Sequence, residues 1–461
     1  MTQEKQYRGI LPEPTPENGF QASGGLSVSF LLGTDVHIGE PETCEQRVAI
    51  TPEQMGLLKR WLNELGIEGR FYVVSGAGNG AGFSDGMYVE VGAEIVEEED
   101  LPRLERLPDV VHALKESTAY EATIPGAFIR IGALHSGDFT PDSGLAEFIA
   151  GGSFCGVFDG SAVGGFAYRC ETDVKPKYPV PLRSSMSVYA GKLAGLDVSE
   201  HLDVDEKVVI SGGGIAGTSA VSVLLEEKNL ERIREILILE KSPLRCEQLR
   251  EQYAEYPKVR IKQSGNVADE DLQGAKGFIL TIFLQGSGAT PKVARVEQMR
   301  LMREGAAIVD VAIDEGGGIR IPKDDEVDSV TGGRPRITAA DVRGEIQALG
   351  KNLAYTADNH MPRRQPKLAS VEHGETALMY LATLMYLCAL KGSPEAALKF
   401  IMDQDYMEHP KTIMSALVLD LKHGMAFARQ DNVMVLYRHV LKKSDEIRLF
   451  LKERGVQGVF A

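Results

Sequence analysis

The sequence predicts an α/β protein of two domains, each built on a parallel sheet, and three observations carry that expectation. Short apolar runs alternate with stretches of helical periodicity along most of the chain, the pattern of strands joined by crossover helices. One such run, residues 207–210, opens through Ser211 into the turn Gly212-Gly213-Gly214-Ile215-Ala216-Gly217 and then into a helix-forming stretch. Two later runs, residues 278–283 and 307–311, are apolar almost throughout, as strands covered on both faces are.

The elements follow in order. Residues 1–25 carry several Pro, Gly, Gln and Glu without periodicity and read as a mobile N-terminal extension. A first domain, residues 26–180, begins with an apolar strand at 26–32. Thr51-Pro52-Glu53 then starts a helix with an N-cap, a proline in the first turn and an acid behind it. Met55, Leu58, Trp61, Leu62 and Leu65 recur down one side of that helix. Strands are expected at 71–74, stopped by the glycines at 76, 78 and 80, and again at 109–114 and 128–134. A connecting helix at 186–194 leads into the second domain, residues 181–357, which holds the glycine turn, a helix at 218–226 and a strand at 236–239 ending in Glu240. Residues 358–461 return to the first domain. Their pattern from Gly374 onward is helical to the end, with a helix start at Ser393-Pro394-Glu395 and a charged amphipathic helix at 433–454. The expected architecture is two Rossmann-like domains either side of a cleft, plus a C-terminal helical extension.

The bulk numbers bound the function. At about 150 residues per domain, 461 residues make two to three domains. A formal charge of −16 argues against nucleic acid or an anionic membrane surface as partner. Cys44, Cys155, Cys170, Cys246 and Cys388 are scattered, with no paired spacing and no metal-ligand cluster, which suits a reducing compartment and no bound metal. There is no signal-peptide pattern at the N-terminus. The longest apolar stretch, 377–390, falls short of the roughly 20 residues of a membrane span. A soluble, cytoplasmic protein is expected.

The glycine turn carries the first chemistry. Gly212 permits a tight turn, Gly214 lets the backbone approach phosphate, and Gly217 lets the helix pack on its strand, which together make a pyrophosphate site at a helix N-terminus. Glu240 lies at the distance, about 20 residues on, where a ribose-binding acid is expected. Dinucleotide binding follows, and Glu240 favours NAD over NADP by repelling a 2′-phosphate, a preference that nearby Lys241 and Arg245 soften. Candidate catalytic groups stand at the ends of expected strands: Lys115 after 109–114, His135 after 128–134, and Asp314 where the strand at 307–311 meets Gly316-Gly317-Gly318. Residue type alone favours a solvated surface lysine at Lys115, and explains His135 equally as a structural histidine and Asp314 equally as a loop-capping aspartate.

Ordered motifs narrow the choice. Gln46-Arg47-Val48-Ala49-Ile50-Thr51-Pro52, then Gly76-Ala77-Gly78 with Gly82-Phe83-Ser84-Asp85, then Lys115-Glu116, then Met186-Ser187 with Ala190-Gly191, then residues 309–317 match the signatures of one family in sequence order. The chain resembles the alanine dehydrogenase and transhydrogenase family from about residue 33 to 389, with a weaker similarity to the lysine-forming saccharopine dehydrogenases. The resemblance implies that Arg47 binds a substrate carboxylate, Lys115 holds the carboxylate or polarises the carbonyl carbon, and His135 is the general acid/base. It implies that Asp314 sits beside the nicotinamide and the amine, that Met186, Asn359 and His360 line the substrate site, and that Ser187, Gly212, Gly214, Ile215, Ala216, Gly217 and Glu240 contact NAD.

The reaction so implied is hydride transfer between an amino-acid α-carbon and nicotinamide, with an amino acid or 2-oxo acid as substrate. Departures from the alanine enzymes bear on which one. His360 stands directly before Met361-Pro362, and Gln365-Pro366-Lys367-Leu368-Ala369-Ser370 is closer to the saccharopine pattern. The loop Leu284-Gln285-Gly286-Ser287-Gly288 lacks a proline before its glycine, and the tail past Gly392 is long. A saccharopine- or opine-type dehydrogenase is therefore the alternative, ahead of a regulatory NAD-binding protein or a transhydrogenase-like subunit. A homo-oligomer is the expected assembly.

Overall fold

The computed structural model describes residues 25–34, 45–114, 121–125, 128–132, 156–159, 184–282, 290–313, 316–325, 337–358, 361–394, 396–397, 417–420 and 425–426. The chain divides into two compact units, one of Met1–Ser185 with Gln365–Ala461, the other of Met186–Arg364.

The first unit starts with β1 (Leu26–Leu32), whose alternate residues Val28, Phe30 and Leu32 enter one core while Leu31 is buried on the opposite face. Helix α1 (Pro52–Glu64) is set by its start. The Thr51 hydroxyl accepts from the Gln54 amide, the Gln54 side chain accepts from the Thr51 amide at 2.9 Å, and Pro52 occupies the first turn. Its apolar stripe of Met55, Leu58, Trp61 and Leu62 is buried, as the spacing predicts. Strand β2 (Ile67–Val74) then pairs with β1 in parallel. Helix α2 (Asp85–Glu90) leads to β3 (Glu94–Val96), followed by β4 (Val110–His112), β5 (Ile129–Gly132) and β6 (Gly156–Asp159).

Helix α3 (Ser184–Ser199) crosses into the second unit. There β7 (Glu206–Ser211) is followed by α4 (Ile215–Leu224), β8 (Ile233–Glu240), α5 (Pro243–Gln252), β9 (Val259–Gln263), β10 (Gly277–Leu280), β11 (Ala306–Asp310), α6 (Ala339–Ala348) and β12 (Leu353–Thr356). The sheet runs β12-β11-β10-β7-β8-β9 with every pair parallel. This is the strand order of a dinucleotide-binding Rossmann sheet, and it reverses between β7 and β10, where such sheets bind ligands. Helix α4 begins at Ile215, three residues before the expected start, because the turn feeds the helix directly from Gly214.

The chain returns through α7 (Pro366–Lys391), which covers β1 and packs on α1. The apolar stretch at 377–390 falls in the C-terminal half of this helix, where Leu378, Leu381, Leu384, Met385 and Leu387 are buried in the core. No helix among the described residues is long and apolar enough to cross a membrane. The tail corrects the expectation of helix to the end. Strands β13 (Leu417–Asp420) and β14 (Met425–Ala426) form an antiparallel hairpin, and β13 pairs antiparallel with β6. The short apolar run Leu417-Val418-Leu419, broken before Met425 by His423-Gly424, finds its pairing on an open sheet edge, which helical periodicity does not register. Among the described residues the sheet of the first unit thus has eight strands, ordered β14-β13-β6-β5-β4-β1-β2-β3, with parallel pairing from β3 through β6. The expected helix at 433–454 lies outside the described residues.

Candidate functional site

In the second unit the glycine turn closes as its sequence requires. Gly212 has φ +107°, a conformation that side chains disfavour. A Cβ on Gly217 would run into the carbonyl oxygen of Gly212, so the helix lies as close to its strand as backbone allows. The Thr281 hydroxyl, at the end of β10, donates towards the carbonyls of Ser211 and Gly212 at 3.1 and 3.0 Å and pins the turn. Gly214 caps α4 without a side-chain hydrogen bond. The first-turn amides of Ile215, Ala216 and Gly217 have no intrahelical acceptor and face outward with the positive end of the helix dipole.

Glu240 ends β8 beside this turn. One carboxylate oxygen accepts from the Gly213 amide at 2.9 Å and the other from the Ser242 amide at 2.8 Å. Each oxygen keeps a second lone pair, which suits it to receive a pair of ribose hydroxyls. Arg245 folds back over the same turn, with Nε donating to the Gly213 carbonyl at 2.9 Å. Helix α3 abuts the turn from another side. A Cβ on Gly191 would strike the Ala216 carbonyl, and Met186 and Ser187 lie half-buried near the start of the same helix. The residues present fit a dinucleotide: open helix amides for pyrophosphate, a fixed carboxylate for ribose, and glycines where any Cβ would intrude.

Asp310 organises the loop that follows β11. It is fully buried, and its carboxylate accepts from the Ala312 amide at 3.2 Å and the Gly318 amide at 3.0 Å. The Thr290 hydroxyl and the Lys292 ammonium bind carbonyls of the same loop, at Ala312 and Gly316. Asp310 thus caps this loop from the end of β11.

In the first unit the Arg47 segment is held from several directions. Glu45 takes the guanidinium side-on, with Nε to Oε1 and Nη2 to Oε2 both at 2.6 Å, and both side chains are buried. The Val48 amide donates to the Ser370 hydroxyl of α7 at 2.9 Å, and Gln54 Nε2 donates to the Val371 carbonyl at 2.7 Å. The second signature lies against the first. Gly80 sits on Gln46 with no room for a side chain, the Tyr88 hydroxyl donates to the Ile50 carbonyl, and Asp85 receives the Gly76 amide. The first two motifs read along the chain, at 46–52 and 76–85, are therefore packed against each other.

Further buried polar groups stand at the C-terminal ends of β4 and β5. His112 is fully buried, its Nδ1 2.9 Å from the Ile131 carbonyl and its ring stacked on His373 of α7. Burial holds its pKa down to about 3, with the nearby Arg130 charge acting in the same direction. Arg130, also fully buried, pairs with Glu121 at 2.6 Å.

The structure thus brings the glycine turn, Glu240 and the middle of α3 at Gly191 together, and it places Arg47 in the other unit. Lys115, His135, Asp314, Asn359 and His360 lie outside the described residues. Glu45, Ser370, Asp310 and Arg130 were not anticipated as site residues. An arginine inside the apolar run 128–134 was the available signal for the last of them.

The sequence model described as Alanine dehydrogenase/PNT, N-terminal domain, matches residues 38–146, and the corresponding C-terminal domain model matches residues 185–386. The chain belongs to the alanine dehydrogenase/PNT family. Alanine dehydrogenase 1 of Staphylococcus aureus (strain bovine RF122 / ET3-1) is 29% identical over 296 residues, covering 60% of this chain and 71% of that protein. Its counterpart in strain NCTC 8325 / PS 47 matches to the same extent. Among solved structures, an L-alanine dehydrogenase superposes with a TM-score of 0.59 at 18% identity, covering 91% of this chain and 100% of that one. The transhydrogenase from Sinorhizobium meliloti gives 0.55 at 19% identity, over 78% and 95% of the two chains. These two structures establish the shared fold. Within this family of oxidoreductases, the unit Met186–Arg364 is the NAD-binding Rossmann domain.

Proposed function

We propose that the protein is an NAD-dependent amino-acid dehydrogenase, moving a hydride between the α-carbon of an amino acid and nicotinamide. The observation that carries this reading is the Arg47 assembly. A family member that bound NAD only to sense it would need the glycine turn and Glu240 alone. This chain instead builds a buried, doubly bonded guanidinium at a family signature in the other unit. A planar guanidinium fork at this family signature is the group suited to a substrate carboxylate.

In this reading bound NAD supplies the hydride acceptor, and NADH the donor in reverse. Arg47 and Lys115 hold the carboxylate, and Asp314 stands by the reacting amine. Loss of hydride from the α-carbon of the neutral amine leaves a protonated imine. His135 removes a proton from water as it adds to that carbon, and the carbinolamine expels ammonia to give the 2-oxo acid. Glu240, anchored by two amides, favours NAD because a 2′-phosphate would meet its fixed negative charge.

A second reading, a saccharopine- or opine-type enzyme that makes a secondary amine, is favoured by His360 before Met361 and by the segment ending in Ser370. The test is NADH oxidation with a panel of 2-oxo acids, first with ammonia and then with amino acids as amine donor. Turnover with ammonia supports the dehydrogenase, whereas turnover only with an amino-acid amine selects the second reading. Tight NADH binding without turnover in either series would remove both.

A further inference from the structure

We infer that Arg130 is a positioning residue for the chemistry, a staple that fixes the two strand ends from which Lys115 and His135 continue. The inference rests on the roles proposed for those two residues. Strands β4 and β5 are neighbours with His112 opposite Ile131. In sequence, β4 runs through Ala113 and Leu114 into Lys115, and His135 follows three residues after the end of β5. Parallel strands leave their last carbonyls without ladder partners, so the geometry of such ends depends on what else binds them.

Arg130 supplies that binding. Its Nη1 donates to the Ala113 carbonyl at 3.2 Å, two residues before Lys115, and also to the Ile131 carbonyl. Its Nε donates at 2.6 Å to the Glu121 carboxylate. One rigid guanidinium therefore joins the exit of β4 at Ala113, Glu121, and β5 itself at Ile131. His112 adds a bond to the same Ile131 carbonyl from the α7 face of the sheet.

A core position here asks only for an apolar side chain, and Ile129 and Ile131 on either side are apolar. A buried ion pair is a weak source of stability, because desolvation offsets most of the attraction. The feature that distinguishes the pair from apolar packing is fixed geometry at two backbone carbonyls and one carboxylate. The Glu121 Oε1 oxygen is buried without a hydrogen-bond partner, so the pair is not optimised for stability.

The test uses the full-length protein with Arg130→Met and Glu121→Met together, which replaces the pair by apolar side chains of similar length, alongside Arg130→Lys. Melting temperature and NADH affinity are expected to stay near those of the parent in the double variant. Its kcat is expected to fall about a hundredfold, the size of loss that a misplacement of about 1 Å produces, with a smaller rise in the KM for the oxo acid as Lys115 shifts. Arg130→Lys, which keeps the charge but cannot span three sites, is expected to lie between. Amide hydrogen exchange over residues 113–121 and 128–135 should quicken in the double variant. A double variant that folds and keeps the parental kcat would overturn the inference, as would unchanged exchange in both segments. If the double variant fails to fold, a parental kcat in Arg130→Lys overturns it. If the parent turns over no substrate in the panel, the amino-acid reading is what fails, and the exchange experiment alone decides the staple.

Discussion

Single side chains set the tightest constraints, and His112 gives a pH dependence with a definite sign. Burial first, and the Arg130 charge with it, depress its folded-state pKa to about 3, against about 6.5 for a free histidine. Between those values the unfolded chain binds a proton that the folded chain does not. This contribution to stability is complete above pH 6.5 and is lost as pH falls, by about 1.4 kcal/mol per pH unit. Urea melts at pH 7.5 and pH 5 should show a smaller difference in His112→Leu than in the parent. Arg47 makes a second prediction at this scale. Arg47→Lys keeps a positive charge but loses the fork shared with Glu45. Bonds to charged groups contribute about 1.5–3 kcal/mol, so the KM for the oxo acid should rise at least tenfold in steady-state assays, with NADH affinity unchanged.

At the scale of elements, local chemistry was the readable part. Thr51, Pro52 and Gln54 specify where α1 begins, and the observed capping box follows from those three residues alone. Thr51→Ala should cost about 1 kcal/mol, visible as a lower melting temperature without loss of NADH binding. The strand-turn-helix from Glu206 to Leu224 was equally legible, because a glycine turn between an apolar run and a helix has few other readings. Gly217→Ala would force α4 away from Gly212, and titration should show NADH affinity lost while the first unit keeps its fold. What escaped the sequence depends on partners far along the chain. β6 and β13 exist because each offers an edge to the other, and Ser370 matters because Val48 lies against it, more than 300 residues earlier in the chain. Arg130 is the same case in miniature, since a lone arginine does not announce which carbonyls it will reach. The parts of the site carried by Lys115, His135 and Asp314 rest on motif resemblance, which supplies roles without geometry.

At the scale of the whole chain, one sheet is continuous in sequence and the other is not. The NAD-binding sheet runs unbroken from β7 to β12, and ligand linkage acts on it directly. NADH at a hundred times its Kd should stabilise that unit by about 2.7 kcal/mol. Calorimetry should show the gain, and NADPH, opposed by Glu240, should give less at equal concentration. The other sheet takes β1 to β6 from one end of the chain and β13 and β14 from the other, with α7 laid across it. That division has a consequence during synthesis. A ribosome making this protein releases the complete Rossmann unit while the first six strands still lack the helix and hairpin that finish their sheet. At about 5–20 residues per second, those strands wait many seconds with an open edge and an uncovered apolar face. The nascent chain is most exposed to aggregation in that interval, so chaperone demand should be set by the order in which the gene is read.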